Sequence, residues 1–155
     1  MQLICVGKDL FTQVDDCDWV ELYSLCNWRV NAWGYVVGKK KNQMIFIHKF
    51  IYANIDPSYK GIIDHEDRDR LNNQQYNLRP ATKSQNIANS RFSIANKTGY
   101  RGVSWSKQNK NYQTQIRVNN TNIHLGYYDD LKEAAKIYNI AAKKYFGDFA
   151  ILNPE

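Results

Sequence analysis

Polar and apolar residues alternate along the last third of the chain. From Tyr112 to Val118 every second residue is apolar or tyrosine or threonine, and the residues between them are polar. A period of two predicts a strand with one buried face. The Asn119-Asn120 pair is typical of a tight hairpin turn, and the alternation resumes from Asn122 to Tyr128. This segment therefore predicts a β-hairpin.

The residues after this hairpin follow a helical period instead. Asp130, with Glu133 three residues later, predicts a capped helix start, and Gly147 offers a C-terminal stop. One face of this helix carries apolar or small residues, among them four alanines that allow close approach to a sheet. These residues are Leu131, Ala134, Ala135, Tyr138, Ala141, Ala142 and Tyr145. The pattern predicts a sheet packed on one helix.

The first third of the chain has a different pattern. In residues 1–47 short apolar stretches alternate with turn residues, which predicts a meander or a series of hairpins. The basic tip Gly38–Asn42 is predicted to be a solvated turn. A short helix is predicted over His48–Ile55, and it ends at Asp56-Pro57 because the residue before a proline disfavours the helical region.

The middle of the chain is polar. Residues 63–78 are too rich in Asp, Asn and Arg to predict a packed element. Thr82 is a suitable N-cap for a helix over about Lys83–Arg91. The stretch 92–98 is predicted to link two domains, residues 1–95 and 96–155.

Composition narrows the classes of function. The chain has 155 residues, 43% of them hydrophobic, which supports packed cores and excludes disorder. Its 21 Lys and Arg against 15 Asp and Glu leave a charge of +6, which favours a polyanionic partner. Cys5, Cys17 and Cys26 form no CxxC pair, so no zinc knuckle is expected. No apolar run is long enough to cross a bilayer and no signal peptide is evident, so we expect a cytoplasmic protein.

One constellation in the polar middle carries chemistry. Asp64 and His65 are adjacent, Asn77 follows His65 by 12 positions, and Asn86 follows Asn77 by nine. Phosphodiester hydrolysis needs an activated water molecule. A histidine can activate it as a general base, because the pKa of its side chain lies near neutral pH. Hydrolysis also needs a cation on the phosphate, and carboxylate and amide oxygens are ligands that suit Mg²⁺.

This pattern resembles the HNH nucleases of the ββα-metal class, in particular the homing endonucleases of phage and mobile introns. The resemblance runs from about Trp28 to Arg91. It implies that His65 is the general base, that Asp64 and Asn86 hold one Mg²⁺ or Mn²⁺, and that Asn77 fixes the loop and orients the imidazole. Two positions depart from many relatives: Asn86 stands where some have histidine, and Arg68 stands at a turn position that is often glycine.

The C-terminal part, from about Thr98 to Asn153, resembles the ethylene-response-factor DNA-binding domain of plants. The matching motifs include Tyr100-Arg101-Gly102-Val103 and Leu125-Gly126-Tyr127. The resemblance implies a three-stranded antiparallel sheet on one helix, with the open sheet face in the DNA major groove. Ser104 and Ser106 stand where the plant domains carry arginines, and His124 replaces a tryptophan, so the plant target sequence is not transferred. Trp105 is expected in the core.

The alternation itself predicts which side chains point away from the helix, and polar side chains of this kind suit base edges and phosphates. The candidate DNA-binding residues are Arg101, Ser104, Lys107, Lys110, Gln113, Gln115, Arg117, Asn122 and His124.

The sequence thus predicts an α+β protein with an N-terminal ββα-metal nuclease domain and a C-terminal sheet packed on one helix. We expect it to bind double-stranded DNA, without a membrane, as a monomer or weak homodimer. A non-catalytic DNA-binding regulator with the same folds is the alternative, and an RNA-binding accessory protein is a weaker one.

Overall fold

Short antiparallel strands and two helices make up the first part of the computed structural model, which describes residues 1–90 and 97–154. Contacts between residues divide the chain into two units, Met1–Ala81 and Thr82–Glu155. The domain boundary expected between residues 95 and 96 lies outside the described residues. The elements of the first unit are β1 (Gln2–Gly7), β2 (Leu10–Val14), α1 (Asp16–Leu25), β3 (Arg29–Val30), β4 (Val36–Lys40), β5 (Gln43–Phe46), α2 (Ile47–Ile55), β6 (Ile62–His65) and β7 (Leu78–Ala81).

Three antiparallel sheets form this unit: the hairpin β1–β2, the meander β3–β4–β5 and the hairpin β6–β7. Their inward side chains meet those of α1 and α2 in one core, in which Val14, Leu22, Ile47 and Ile51 are fully buried. The predicted meander and the helix that ends before Asp56 are confirmed. The basic tip of the meander is a two-residue turn, in which Lys41 and Asn42 both have positive φ.

Two predictions for the first unit were wrong. Residues 16–25 form α1 rather than part of a meander. The sequence did not indicate this helix because its apolar period is weak, and only its Asp18 and Leu22 are buried. The polar stretch 63–78 contributes to β6 and β7 and buries several side chains. Polar residues can be buried there because they form hydrogen bonds with one another and with backbone groups.

The second unit contains the predicted sheet packed on one helix. Its three strands are β8 (Val103–Ser106), β9 (Asn111–Val118) and β10 (Thr121–Tyr128), and they form an antiparallel sheet in the order β10–β9–β8. Asn119 and Asn120 have positive φ in the predicted hairpin turn. Gly102, with φ +72°, precedes the first strand, and a Cβ at this position would overlap the ring of Tyr138 and lie 2.6 Å from the Gln115 carbonyl. The helices of this unit are α3 (Lys83–Ala88) and α4 (Leu131–Phe146).

The last helix covers one face of this sheet. Asp130 caps it by accepting a hydrogen bond from the Glu133 backbone N–H, as predicted. Its alanines are buried, and they bring α4 close to β9. Two packing predictions were wrong: Tyr145 is 39% exposed, with Phe146 buried instead, and Trp105 is 51% exposed rather than in the core. Val103 of the same strand is buried, whereas the Trp105 indole packs edge-on against the Tyr112 ring with centroids 4.9 Å apart.

The short helix α3 belongs to the second unit. Thr82 and Gln85 form a capping box at its start, as the Thr82 N-cap predicts. It ends at Ala88, earlier than the predicted Arg91, which lies outside the described residues. Ala88 is buried in the core cluster with Ile116 and Ala142. In the part of the chain that the structure describes, no helix has the length and apolar character of a membrane span.

Candidate active site and DNA-binding surface

The hairpin β6–β7 positions the two residues that carry the predicted chemistry. In its register Asp64 pairs with Arg79 and His65 pairs with Leu78. Both residues are at the end of β6, and both are buried: Asp64 is 5% exposed and His65 is 4% exposed. A buried carboxylate beside a buried imidazole requires specific partners, because each loses the hydration that it has in water.

The His65 imidazole lies among other rings and one amide. Its Nε2 is 3.1 Å from Oδ1 of Asn73. The ring of His48 packs edge-on against it, with centroids 5.1 Å apart, and the Tyr35 ring lies 6.2 Å away. These contacts leave the imidazole little freedom to rotate.

Burial keeps both imidazoles neutral. It lowers the pKa of His65 below the ordinary value, while the Asn73 hydrogen bond and the Asp67 and Asp64 charges act in the opposite direction. Burial, together with the neighbouring His65, Lys49 and Arg70, also lowers the pKa of His48 to about 3. A neutral imidazole at pH 7 can accept a proton, which is the state that a general base needs.

The loop between β6 and β7 is held mainly by Asn77, which is 1% exposed. Its Nδ2 donates to Oδ1 of Asp67 at 2.9 Å and to the Asn72 carbonyl at 2.7 Å, and its Oδ1 accepts from the Asp67 backbone N–H. Asn77 therefore fixes the loop, and the imidazole Nε2 faces the amide oxygen of Asn73. The orienting role expected of Asn77 stays a prediction.

The acidic side chains of the loop accept hydrogen bonds from its backbone N–H groups. Oδ1 of Asp67 accepts from the Asp69 N–H at 2.7 Å, and Oδ1 of Asp69 accepts from the Leu71 N–H at 2.9 Å. Arg68 lies between them with φ +68°, in the left-handed region that explains why glycine suits this position. The loop accommodates an arginine here because the surrounding hydrogen bonds define its conformation.

Arg79 bridges two carboxylates on this hairpin. Its Nε lies 3.2 Å from Oδ2 of Asp64, and its Nη1 lies 3.3 Å from Oε1 of Glu66. A carboxylate has about four lone-pair positions, so accepting from Arg79 is compatible with binding a cation as well. Asn86, the other predicted metal ligand, is on α3 of the second unit, half-buried. Its role in metal binding stays a prediction.

The open face of the second unit's sheet carries the predicted hydrogen-bonding side chains as cross-strand pairs. Gln115 lies opposite His124, and Arg117 lies opposite Asn122. Ser104 on the neighbouring strand lies opposite Gln113. Gln115, Arg117, Asn122, His124 and Ser104 are exposed, and Gln113 is half-buried with its Nε2 3.4 Å from Nδ1 of His124. The alternation in the sequence predicted this face correctly.

The remaining predicted DNA contacts differ in their surroundings. Lys107 and Lys110 are exposed in the turn between β8 and β9. The guanidinium of Arg101 instead donates to the carbonyls of Ile87, Ala88 and Ser90 at the end of α3. The Arg101 guanidinium is thus hydrogen-bonded within the second unit, and these bonds connect the end of α3 to the residues just before β8.

Three residues that contribute to the site were missed by the sequence reasoning. Arg79 and Asn73 lie in or next to the polar middle of the chain, and the sequence assigned neither of them a role. His48 was placed only at the start of a predicted helix, without a link to His65. The only available signal was the spacing of Asn73, which falls inside the motif eight residues after His65.

Comparison with known proteins supports the nuclease interpretation of this site. The chain is 34% identical over 151 residues to an uncharacterized HNH endonuclease of Acanthamoeba polyphaga mimivirus, and the match covers 95% of this chain and 76% of that protein. No protein-family model matches the chain.

Proposed function

This chain belongs to the HNH endonuclease family, and we propose that it hydrolyses phosphodiester bonds of double-stranded DNA at Asp64 and His65. The observation that carries the proposal is the buried Asp64-His65 pair at the end of β6. It combines an imidazole that burial keeps neutral with an adjacent carboxylate, which is a hard oxygen ligand of the kind that Mg²⁺ prefers. By the resemblance to phage and intron enzymes, we further propose a homing endonuclease that nicks or cuts a specific site.

His65 would act as the general base. It takes a proton from the attacking water, and the resulting imidazolium is stabilised by the Asp67 and Asp64 charges nearby. The Asn73 hydrogen bond and the contact with His48 keep the ring in one orientation during this transfer. A positioned base of this kind contributes about 10²–10⁴-fold to a reaction rate.

The donor set at Asp64 fits a hard divalent cation. In residues 1–90 and 97–154 no group of three or more His, Cys, Asp or Glu side chains could hold a metal. Mg²⁺ keeps several water ligands and is often held by one or two carboxylates, so it suits a site with so few protein ligands. When bound, it would neutralise charge on the phosphate and the leaving oxygen. Asp64 would hold it, and the resemblance adds the Asn86 amide.

The open sheet face would anchor the protein on DNA. Its paired glutamine, asparagine, histidine and arginine side chains offer donors and acceptors for base edges and phosphates. The chain's net charge of +6 favours association with a polyanion.

The direct test of cleavage uses two substrates. The first is a supercoiled plasmid, and the second is a pool of plasmids that carry fragments of host genomic DNA. We expect conversion to nicked circles with Mg²⁺ and none with a chelator, because a divalent cation held by Asp64 would neutralise charge on the phosphate and the leaving oxygen. Gel electrophoresis over time measures the rate in each condition. Cleavage that survives the chelator would contradict the metal-dependent mechanism. Binding of duplex DNA without cleavage of either substrate would instead indicate a DNA-binding regulator.

A second prediction concerns the sheet face. Replacing Arg117 with alanine should weaken duplex binding about tenfold, because its guanidinium is exposed on the open face opposite Asn122. The control is Lys143→Ala, which removes the same charge from the exposed side of α4. Fluorescence anisotropy at several salt concentrations measures both affinities. Equal affinities for the two variants would contradict a role of this face in DNA binding.

A further inference from the structure

A chain of hydrogen bonds leads from the His65 imidazole to the N-terminal hairpin β1–β2. Oδ1 of Asn73 faces the imidazole Nε2 at 3.1 Å. Nδ2 of the same amide lies 2.8 Å from Oγ1 of Thr12, and that hydroxyl lies 2.7 Å from the Leu71 carbonyl. Thr12 and Asn73 are both fully buried. The resemblance to HNH nucleases begins only near Trp28, so Thr12 lies outside the motif that predicted the site.

The direction of every bond in this chain is fixed by two backbone carbonyls. A carbonyl can only accept, so the single hydroxyl proton of Thr12 is donated to Leu71 and Thr12 must accept from Asn73. The Asn73 Nδ2 also donates to the Arg70 carbonyl at 3.1 Å. A flipped amide would place its oxygen against that carbonyl, so the amide has one orientation.

The amide orientation determines the histidine tautomer. With Oδ1 of Asn73 as an acceptor, the imidazole Nε2 must donate and therefore carries the proton. In the neutral ring the lone pair is then on Nδ1. A general base needs its lone pair on the nitrogen that meets the water, so the tautomer decides which ring nitrogen can serve.

The backbone of the hairpin supports the same arrangement. The Gln13 N–H donates to the Leu71 carbonyl at 2.8 Å, and the Asn73 N–H donates to the Gln13 carbonyl at 2.8 Å. Strand β2 is thus bonded to Asn73 itself and to Leu71, two residues before it. The loop cannot shift without breaking these bonds, which lie in the interior of the first unit.

We propose that Asn73 and Thr12 are positioning residues that hold the proton of His65 on Nε2 and leave Nδ1 to take the proton of the attacking water. The inference rests on the proposed nuclease function for its consequence in catalysis. The placement of the proton itself is independent of cleavage. It gives the N-terminal hairpin a part in the active site.

The first measurement is nitrogen-15 NMR of the full-length protein in the presence of Mg²⁺. The histidines of the sample carry nitrogen-15 in both ring positions. The chain has three histidines, and comparison with the His65→Gln spectrum identifies the signals of His65. We expect a protonated Nε2 and an unprotonated Nδ1, with a slowly exchanging Nε2 proton. A proton on Nδ1 would overturn the proposal. This spectrum decides the point even in a protein that fails to cleave DNA, so it separates failure of this inference from failure of the proposed function.

The second measurement uses Thr12→Val, which has nearly the same shape but no hydroxyl. Loss of this hydroxyl removes one of the hydrogen bonds of the Asn73 Nδ2, which keeps its bond to the Arg70 carbonyl, and one of the bonds of the Leu71 carbonyl, which still accepts from the Gln13 N–H. Because the amide is then held less firmly, we expect kcat to fall about tenfold with KM unchanged. The exchange of the His65 Nε2 proton with water should become about two- to tenfold faster. Thr12→Ser restores the hydroxyl and should restore both values.

The matched control is Thr114→Val in the second unit. Thr114 is also a fully buried strand threonine, and its hydroxyl lies 3.4 Å from the Ala134 carbonyl. It makes no described contact with the His65 loop, so kcat and the His65 spectrum should match the wild type. Urea unfolding places the two valine variants on a common stability scale. A Thr12→Val protein that matches Thr114→Val in kcat and in the His65 spectrum would overturn the role of Thr12.

Discussion

Replacing His65 with alanine is expected to lower the rate of DNA cleavage by about 10²–10⁴-fold. The imidazole is 4% exposed and its pKa is lowered by burial, so the wild-type group is neutral and able to accept a proton at pH 7. Alanine removes the base and leaves the carboxylate of Asp64 in place. Single-turnover cleavage of a plasmid substrate, with DNA saturated by enzyme, measures the chemical step without the contribution of binding.

Two observations distinguish a lost base from a damaged fold. Duplex affinity should stay within about twofold of the wild type, because the proposed anchoring residues are on the sheet of the second unit. Added imidazole should restore part of the rate, since the alanine leaves space for a free base beside Asn73 and His48. A variant that cleaves at the wild-type rate would exclude His65 as the base.

The lowered pKa also sets a direction for the pH dependence. Because burial moves the pKa of His65 below its ordinary value, the imidazole stays unprotonated to a lower pH than a histidine in water. Cleavage that depends on this base is therefore expected to persist below the ordinary histidine pKa before it declines. The decline should be absent in the residual activity of His65→Ala.

The parts of the fold that local patterns specify could be predicted from the sequence. Strands β9 and β10 alternate with a period of two, and α4 has both a capping residue and an alanine-rich face, so their positions and exposed side chains followed directly. The hairpin turn at Asn119 followed from the preference of Asn for positive φ. These features depend on residues close together in the chain.

The parts that depend on distant residues could not be predicted. Thr12 is buried on a strand whose Leu10 and Phe11 are exposed, so the apolar pattern of β2 gives no indication that its threonine is at the active site. Its partner Asn73 is 61 positions away. Trp105 was misplaced for a related reason, since alternation identifies a face of β8 but not how far α4 extends over it.

The candidate site shows the same division. The motif spacing identified Asp64, His65 and Asn77, because phosphodiester chemistry requires those residue types at close quarters. It did not identify which amide holds the imidazole. Asn77 turned out to bind the loop through Asp67, while Asn73 binds the ring. Two asparagines four positions apart in one polar loop cannot be told apart until the backbone is traced.

Replacing Asp64 with asparagine is expected to lower cleavage at about 1 mM Mg²⁺ by about 10²-fold and to shift the Mg²⁺ dependence to higher concentration. The change keeps the shape of the side chain and removes its charge, so the loss reports on the attraction for the cation rather than on packing. High Mg²⁺ should recover part of the rate, whereas it should recover none in His65→Ala. Cleavage rates across a Mg²⁺ titration measure both effects.

Glu66→Gln supplies the matched control for this variant. Arg79 forms an ion pair with both carboxylates, at 3.2 Å to Asp64 and 3.3 Å to Glu66. Each substitution therefore removes one charge and one of these ion pairs of the same arginine. The Glu66 side chain is 56% exposed and the Asp64 side chain is 6% exposed, so we expect only the Asp64 variant to change the Mg²⁺ dependence. Equal Mg²⁺ titrations for the two variants would show that the lost ion pair, and not a lost metal ligand, causes the defect.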